Sequence, residues 1–431
     1  RLDRAISALL TRAFRRDRTD DEMLRYGALA RSAPGFAEGD DDARVREGLR
    51  TVIAAALQSP HFLYRVERGR RDEATRSGDV LRVPLTEREL ATRWSYALFD
   101  APPDSTLDAE LASGALATDE GRRAVVARML ADPRADETIL RFHRRLYGVA
   151  DYTSMRRDQA VFPGTESLGA DAERESTALL RHVVAEEGGV RELLLDRTGF
   201  VNRRLAELYA LPTEGRADDV FERVELPDTR PGILTRVGWT AWQADQLERR
   251  TILRGVFVIR NILCEPLGPP ASGNFASAAM RGAPEGPATN RDLVAFRTEW
   301  ADCASCHATR INPIGFAFEG YDALGRFVTT DRGLPIDASG SLAIGGEVIE
   351  YASASDLLAQ IAERPAAHDC YASSAMEYLL GARPLGLDAS VAGAIGDASL
   401  EEGLSVRRIF AEILSSDSFR TLRVPAPGVA R

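Results

Sequence analysis

Apolar residues recur three and four positions apart along most of the first 260 residues, the spacing that turns one face of a helix toward a core. Across 43–58 the stripe is Leu49, Val52, Ile53, Ala56 and Leu57, and Pro60 ends it. Thr86-Glu87-Arg88-Glu89 has capping-box spacing, with Leu85 and Leu90 set as a hydrophobic staple. The helix it opens buries Leu90, Trp94, Ala97 and Leu98, and Val125, Val126, Met129 and Leu130 predict another near 119–131. Further periodic runs lie near 134–147, 170–187 and 250–263, and helices return at roughly 354–382 and 403–421. Between them, Arg326–Thr330 and Ser341–Glu350 around Gly345-Gly346 read as a small β-hairpin region. No βαβ alternation and no repeat of fixed period appears. The expected class is mainly α: several packed helical domains with a small hairpin near 326–350.

Two stretches break the periodicity. Residues 67–80 are charged and unpatterned, and 265–290 are rich in Pro, Gly and Ala, a long connector of the kind that is usually functional or mobile. At 431 residues and 47.0 kDa the chain exceeds one compact core. The expected division is 1–80, 81–212, 213–350 and 351–431.

Composition narrows the function classes. Hydrophobic residues make up 44%, enough for extensive burial, yet no apolar run approaches the 18 residues of a membrane span. The net charge of −10 and pI of about 5.3 argue against a nucleic-acid partner, which needs a basic excess. All 55 basic residues are Arg, which removes Schiff-base lysines, a Walker A lysine and lysine bases; codon bias in a GC-rich genome is the plainer cause. The chain starts at Arg1 within a helical pattern, which reads as a processed or truncated start with any signal peptide or anchor outside it.

The segment that carries chemistry is Cys303-Ala304-Ser305-Cys306-His307. Two thiols three residues apart can add to the two vinyl groups of one porphyrin, and the next residue then lies beneath the iron as its proximal imidazole ligand. The expected cofactor is one haem c, anchored by Cys303 and Cys306 and ligated by His307. Three duller readings compete: a plain disulfide, half of a zinc site with no second pair to complete it, and a thioredoxin-type dithiol without its βαβ setting. Cys264 and Cys370 flank this region and are either a disulfide or two buried, unpaired thiols.

The sixth iron position decides between electron carriage and small-molecule chemistry. Met280 in the connector, and Met376 and His368 in the later helices, are the candidates, each with core packing or an ordinary surface place as its plainer reading. Beyond the motif, Pro313 and Phe316 are expected at the cofactor, with Ile314 and Phe318 as further apolar wall, and Arg310 or Arg326 is placed to pair with a propionate. Glu319 and Asp322 read either as a cation or acid/base pair or as turn caps and Arg partners, the latter preferred. Trp239, Trp242 and Trp300 read first as core, and second as an electron path.

The run Cys303-Ala-Ser-Cys-His-Ala-Thr-Arg-Ile-Asn-Pro-Ile-Gly-Phe-Ala-Phe-Glu-Gly-Tyr-Asp-Ala-Leu-Gly-Arg326 resembles the signature of cytochrome-c-like multi-domain proteins of planctomycetes and myxobacteria, whose successive domains are of unknown function. Gln58-Ser-Pro-His-Phe-Leu-Tyr-Arg-Val-Glu67, Leu90-Ala-Thr-Arg-Trp-Ser-Tyr-Ala-Leu-Phe99, Met129-Leu-Ala-Asp-Pro-Arg134, Gly232-Ile-Leu-Thr235, Arg254-Gly255 and Tyr378-Leu-Leu-Gly-Ala-Arg383 resemble that family in the same order. Two positions depart from it: Asn312 stands where the family usually has Asp, and Arg297-Thr298-Glu299-Trp300 lacks a His often found before the first Cys. The resemblance implies an exported protein with a cytochrome-c-like haem domain, and it supplies no reaction.

The functional expectation is an extracytoplasmic monohaem c-type cytochrome module, in the periplasm or at the cell surface, that exchanges electrons with a redox partner protein. One alternative is a peroxidase- or oxygenase-like haem oxidoreductase with an open distal site. The other is a haem-free cell-surface protein whose CxxC is a disulfide.

Overall fold

The computed structural model describes residues 1–38, 40–268, 282–299 and 301–426. These are mainly α, with small antiparallel sheets of two or three strands, as the periodicity predicts. They divide into two compact units, one drawn from 1–135 with 413–426 and the other from 136–412. No helix among the described residues is long and apolar enough to cross a membrane.

In the first unit, the helices Leu2–Phe14, Asp20–Arg31 and Asp41–Leu57 close on a core of Ile6, Leu10, Phe14, Ala30, Val52 and Ala56. Pro60 does end the third helix, and it does so by opening the next short one as its first residue, where a missing N–H is harmless. The Thr86–Glu89 capping box forms as spaced, and the helix Glu87–Phe99 buries Trp94 completely, its indole N–H bonded to the Leu414 carbonyl at 3.0 Å.

The stretch 67–80 departs from the irregular boundary its charge suggests. Thr75–Ser77 (β1) and Val80–Pro84 (β2) form a hairpin, and Thr421–Pro425 (β9) pairs antiparallel with β2 from Val80 opposite Pro425 to Pro84 opposite Thr421. Burial in β2 does not alternate, since Arg82 and Val83 are buried side by side, so its five residues carry no strand pattern of their own, and its partner lies more than 300 residues away. The second unit adds two more unpredicted strands, Thr198–Val201 (β3) and Glu222–Glu225 (β4).

The predicted hairpin region is two hairpins. Thr330–Asp331 (β5) and Leu334–Pro335 (β6) turn at Arg332 and Gly333, and Gly340–Ile344 (β7) and Glu347–Tyr351 (β8) turn at Gly345 and Gly346. Both loops are two residues long with positive φ at both positions, the backbone twist that suits tight hairpins and that glycine supplies without strain.

The second unit packs the helices Leu168–Ala185 and Val237–Trp242 with the loop strands around Val201, Leu205, Tyr209, Leu226 and Leu324. Trp239 is fully buried, its ring against Phe257 and Phe318, and Trp242 packs on Tyr152 and Phe257, so both serve the core. Trp300 lies outside the described residues.

Candidate functional site

The motif lies on one nearly continuous helical rod. Ala301–Cys306 is α-helical, His307–Ile311 is a π-turn, and Asn312–Ala317 is α-helical again. Pro313 accounts for the change of winding. In an α-helix its ring would collide with the carbonyl four residues back, and a π-turn opens the ladder by one residue just before it. The backbone N–H of Asn312 therefore bonds to the His307 carbonyl, five residues earlier, and residue 312 stacks above residue 307.

Cys303 and Cys306 are separated by one helical turn, and neither is in a disulfide; Cys303 is partly exposed and Cys306 exposed. His307 follows directly, half-buried, with Nδ1 3.1 Å from Asn312 Oδ1. Asn312 is buried and its Nδ2 donates to Thr298 Oγ1 at 2.7 Å. Thr298 closes the helix Asn290–Thr298.

A second helix sets the depth of this rod. Thr251–Phe257 crosses Asn312–Ala317 at two glycines that face each other's backbone. A Cβ on Gly255 would stand 2.1 Å from the Ile311 carbonyl oxygen, and one on Gly315 would stand 2.3 Å from that of Thr251. Only hydrogen at both positions lets the helices approach this closely.

Around the crossing, the charged residues are structural. Arg254 is fully buried and donates to the carbonyls of Phe318 and Tyr321 at 2.8 Å each and of Thr240 at 2.7 Å; burial lowers its pKa to about 9. Glu319 is buried and accepts from the Thr251 hydroxyl, from Asn290 Nδ2 at 2.9 Å and from Arg249 at 3.4 Å, while Arg249 also reaches Asp331 at 3.2 Å. Asp322 accepts from the backbone of Leu324 and Arg326, both at 2.9 Å, and pairs with the Arg326 side chain. Glu319 is thus an Arg partner and Asp322 a turn cap, the preferred of the two readings for these carboxylates. No group of three or more His, Cys, Asp or Glu among the described residues is disposed to hold a metal ion.

Cys264 and Cys370 form a disulfide. It ties the end of the helix that begins at Thr251 to the helix Pro365–Leu380. The residue after Cys264, Glu265, is paired with Arg310 at 2.5 Å, and Arg310 also donates to the Pro266 carbonyl. Disulfide, Glu265 and motif rod are therefore joined in sequence.

The other expected site residues are distributed as follows. Pro313 lies on the rod two residues beyond Ile311, and its carbonyl accepts from Tyr351. Phe316 is buried, with the Arg291 guanidinium over its ring at 4.7 Å. Arg310 and Arg326 each hold a carboxylate already, Glu265 and Asp322. His368 is buried in the later helical hairpin, Nδ1 against Ser399 Oγ at 2.8 Å and Nε2 against the Ala362 carbonyl at 3.0 Å, so both ring nitrogens are engaged. Met376 is fully buried on the same helix. Met280 lies outside the described residues. In the sequence Asn312 is marked only as a departure from the resembled family's usual Asp, and Thr298 is not marked as a site residue; the spacing of five across a proline-induced π-turn is the further signal that points to Asn312.

The haem-attachment set fits these residues. Two thiols one turn apart and unjoined, beside an imidazole held by one nitrogen with the other left over, are the donors that a covalent haem requires.

Three family models match successive segments of the chain. Residues 1–67 match PSD5, a protein of unknown function (DUF1595); 85–211 match PSD4, a protein of unknown function (DUF1592); and 230–331 match PSCyt3, a protein of unknown function (DUF1588). These are planctomycete-type, cytochrome-c-like multi-domain families, and the third match contains the motif rod. No curated protein and no solved structure matches the chain.

Proposed function

We propose that the chain is a monohaem c-type cytochrome module that works outside the cytoplasm and transfers electrons. One observation carries the reading: Cys303, Cys306 and His307 lie within little more than one turn of one rod, the thiols unjoined, with the imidazole held through Nδ1 by a buried amide. The match of 230–331 to a cytochrome-like family supports it. The Cys264–Cys370 disulfide supports an oxidising compartment, because such bonds persist mainly outside the cytosol.

In this reading the Sγ atoms of Cys303 and Cys306 form the thioethers and His307 supplies Nε2. The bound group would provide a one-electron iron couple. The Gly255–Gly315 crossing holds the rod rigid, and the disulfide with the Arg310–Glu265 pair fixes its flank. The formal charge of −10 suits a basic redox partner, whose approach would be steered by charge and weakened by salt.

A haem oxidoreductase with an open distal position is the second reading. The packing of His368 and Met376 favours it, since two of the three candidate sixth ligands are committed to the core. A low-spin spectrum insensitive to cyanide supports the electron carrier, and a high-spin spectrum that shifts with cyanide supports the oxidoreductase.

The deciding test is a pyridine haemochrome spectrum after acid–acetone extraction of chain made in the periplasm with cytochrome c maturation. Retained absorbance of a two-thioether haem, lost in Cys303→Ala and in Cys306→Ala, is the expected outcome. A haem-free protein in which mass spectrometry finds Cys303 joined to Cys306 overturns it and leaves a disulfide-stapled helical protein.

A further inference from the structure

We infer that Asn312, oriented by Thr298, is the positioning residue that fixes the ring and the tautomer of His307 and so presents Nε2 as the ligand atom. This rests on the haem reading for its redox consequence, but not for its geometry.

Thr298 Oγ1 lies 2.7 Å from the Val294 carbonyl and 3.3 Å from that of Ala295. Carbonyls only accept, so the single hydroxyl proton is spent there. Toward Asn312, 2.7 Å away, the hydroxyl can therefore only accept, and the group facing it must be the amide NH2. That turns Oδ1 toward His307. An amide oxygen has no proton to give, so the hydrogen between it and His307 Nδ1, 3.1 Å apart, belongs to the imidazole. In the neutral ring Nε2 is then left with the lone pair. Asn312 and Thr298 are 3% and 7% exposed, so water competes little for either.

The partner's charge has a consequence. A neutral amide holds the Nδ1 proton without drawing it away, and the ligand stays a plain neutral imidazole. A carboxylate at 312 would pull on that proton and make Nε2 a stronger donor, which favours oxidised iron; an apolar side chain would leave the proton without a partner and weaken the donor. Asn312→Asp and Asn312→Leu should therefore move the midpoint potential in opposite directions, a readout that general loosening of the fold does not produce.

The experiment is an optical redox titration of the full-length haem-loaded chain, wild type and both variants. The expected result is a lower midpoint in Asn312→Asp and a higher one in Asn312→Leu, each by about tenfold in the redox equilibrium, or about 59 mV for one electron. Shifts of the same sign, or none, with haem still covalently attached, overturn the inference. A second measurement is independent of haem: nitrogen-15 NMR of the haem-free chain labelled at its five histidines. His307 should be in the Nδ1–H form, and Thr298→Val, which frees the amide to turn over, should mix the two tautomers. An Nε2–H form in the wild type overturns the inference. Wild-type chain that never retains haem sinks the proposed function and leaves this NMR result to decide the positioning.

Discussion

Two buried carboxylates show how partners decide what a residue does. Glu22 is held by Arg16 at 2.5 Å and by the backbone and side chain of Thr19, and the Arg16 hydrogen bond is the main cause that lowers its pKa from 4.5 to about 2. A lowered folded-state value stabilises above the unfolded one and is lost as pH falls through the folded one. The contribution, at most about 3 kcal/mol, is complete above about pH 5 and fades between 4.5 and 2. Denaturant unfolding of Glu22→Gln should show a loss at pH 7 that shrinks toward pH 2; an equal loss at both values would contradict the linkage. Glu319 is legible in the sequence only as an acidic residue near the motif. Its burial against Thr251, Asn290 and Arg249 depends on segments up to 70 residues apart. Glu319→Ala leaves Arg249 buried without that partner and should cost about 3–5 kcal/mol, read as a fall in the denaturant midpoint of the second unit.

At the scale of elements, the helices with a clear stripe or cap are where the periodicity puts them: Asp41–Leu57, Glu87–Phe99, Asp119–Leu130 and Leu168–Ala185 all form. The helix Leu387–Glu402 is not predicted, because Ala, Gly and Ser carry little amphipathic signal; it is fixed by packing on Pro365–Leu380, where Gly396 lies against Asp369. Strand β2 is likewise silent alone, since five residues acquire meaning only beside β9. The crossing of Thr251–Phe257 with the motif rod is the element-level feature most open to test. Gly255→Ala or Gly315→Ala puts a methyl onto a backbone carbonyl, which the neighbour cannot avoid by rotating a side chain. Either should destabilise by about 1–3 kcal/mol or more and lower the yield of haem-loaded chain, and Gly268→Ala, with no neighbour within 4 Å, should do neither. Thermal unfolding and the haem-to-protein absorbance ratio check both.

At the scale of the molecule, the Cys264–Cys370 bond closes a segment with a sequence separation of 106 residues that contains the motif rod and the hairpins β5–β8. Loop-closure entropy alone puts its worth near 4–5 kcal/mol, an upper figure for a denatured state that keeps some structure. Cys264→Ser with Cys370→Ser should lower the denaturant midpoint of the second unit, and reductant should do the same to the wild type while leaving the double variant unchanged. Two cysteines far apart in a sequence admit both pairing and separate burial, and only the approach of their helices, Cα atoms 5.1 Å apart, selects the bond.

By itself the sequence determined the mainly helical class, the capped starts of its best-marked helices, the glycine turns and the Cys303-Cys306-His307 donor set, because each of these depends on residues within a few positions of one another. The tertiary structure decided the β2–β9 pairing, the disulfide, the structural roles of Glu319 and Arg254, and the amide of Asn312 held toward His307 by Thr298. All but the last are contacts between segments remote in sequence; Asn312 lies close to His307 along the chain, and it is the π-turn and the packing of the helix Asn290–Thr298 that bring its amide into place. Periodicity is the signature of a residue's own element, and it carries no information about which other element will lie against it.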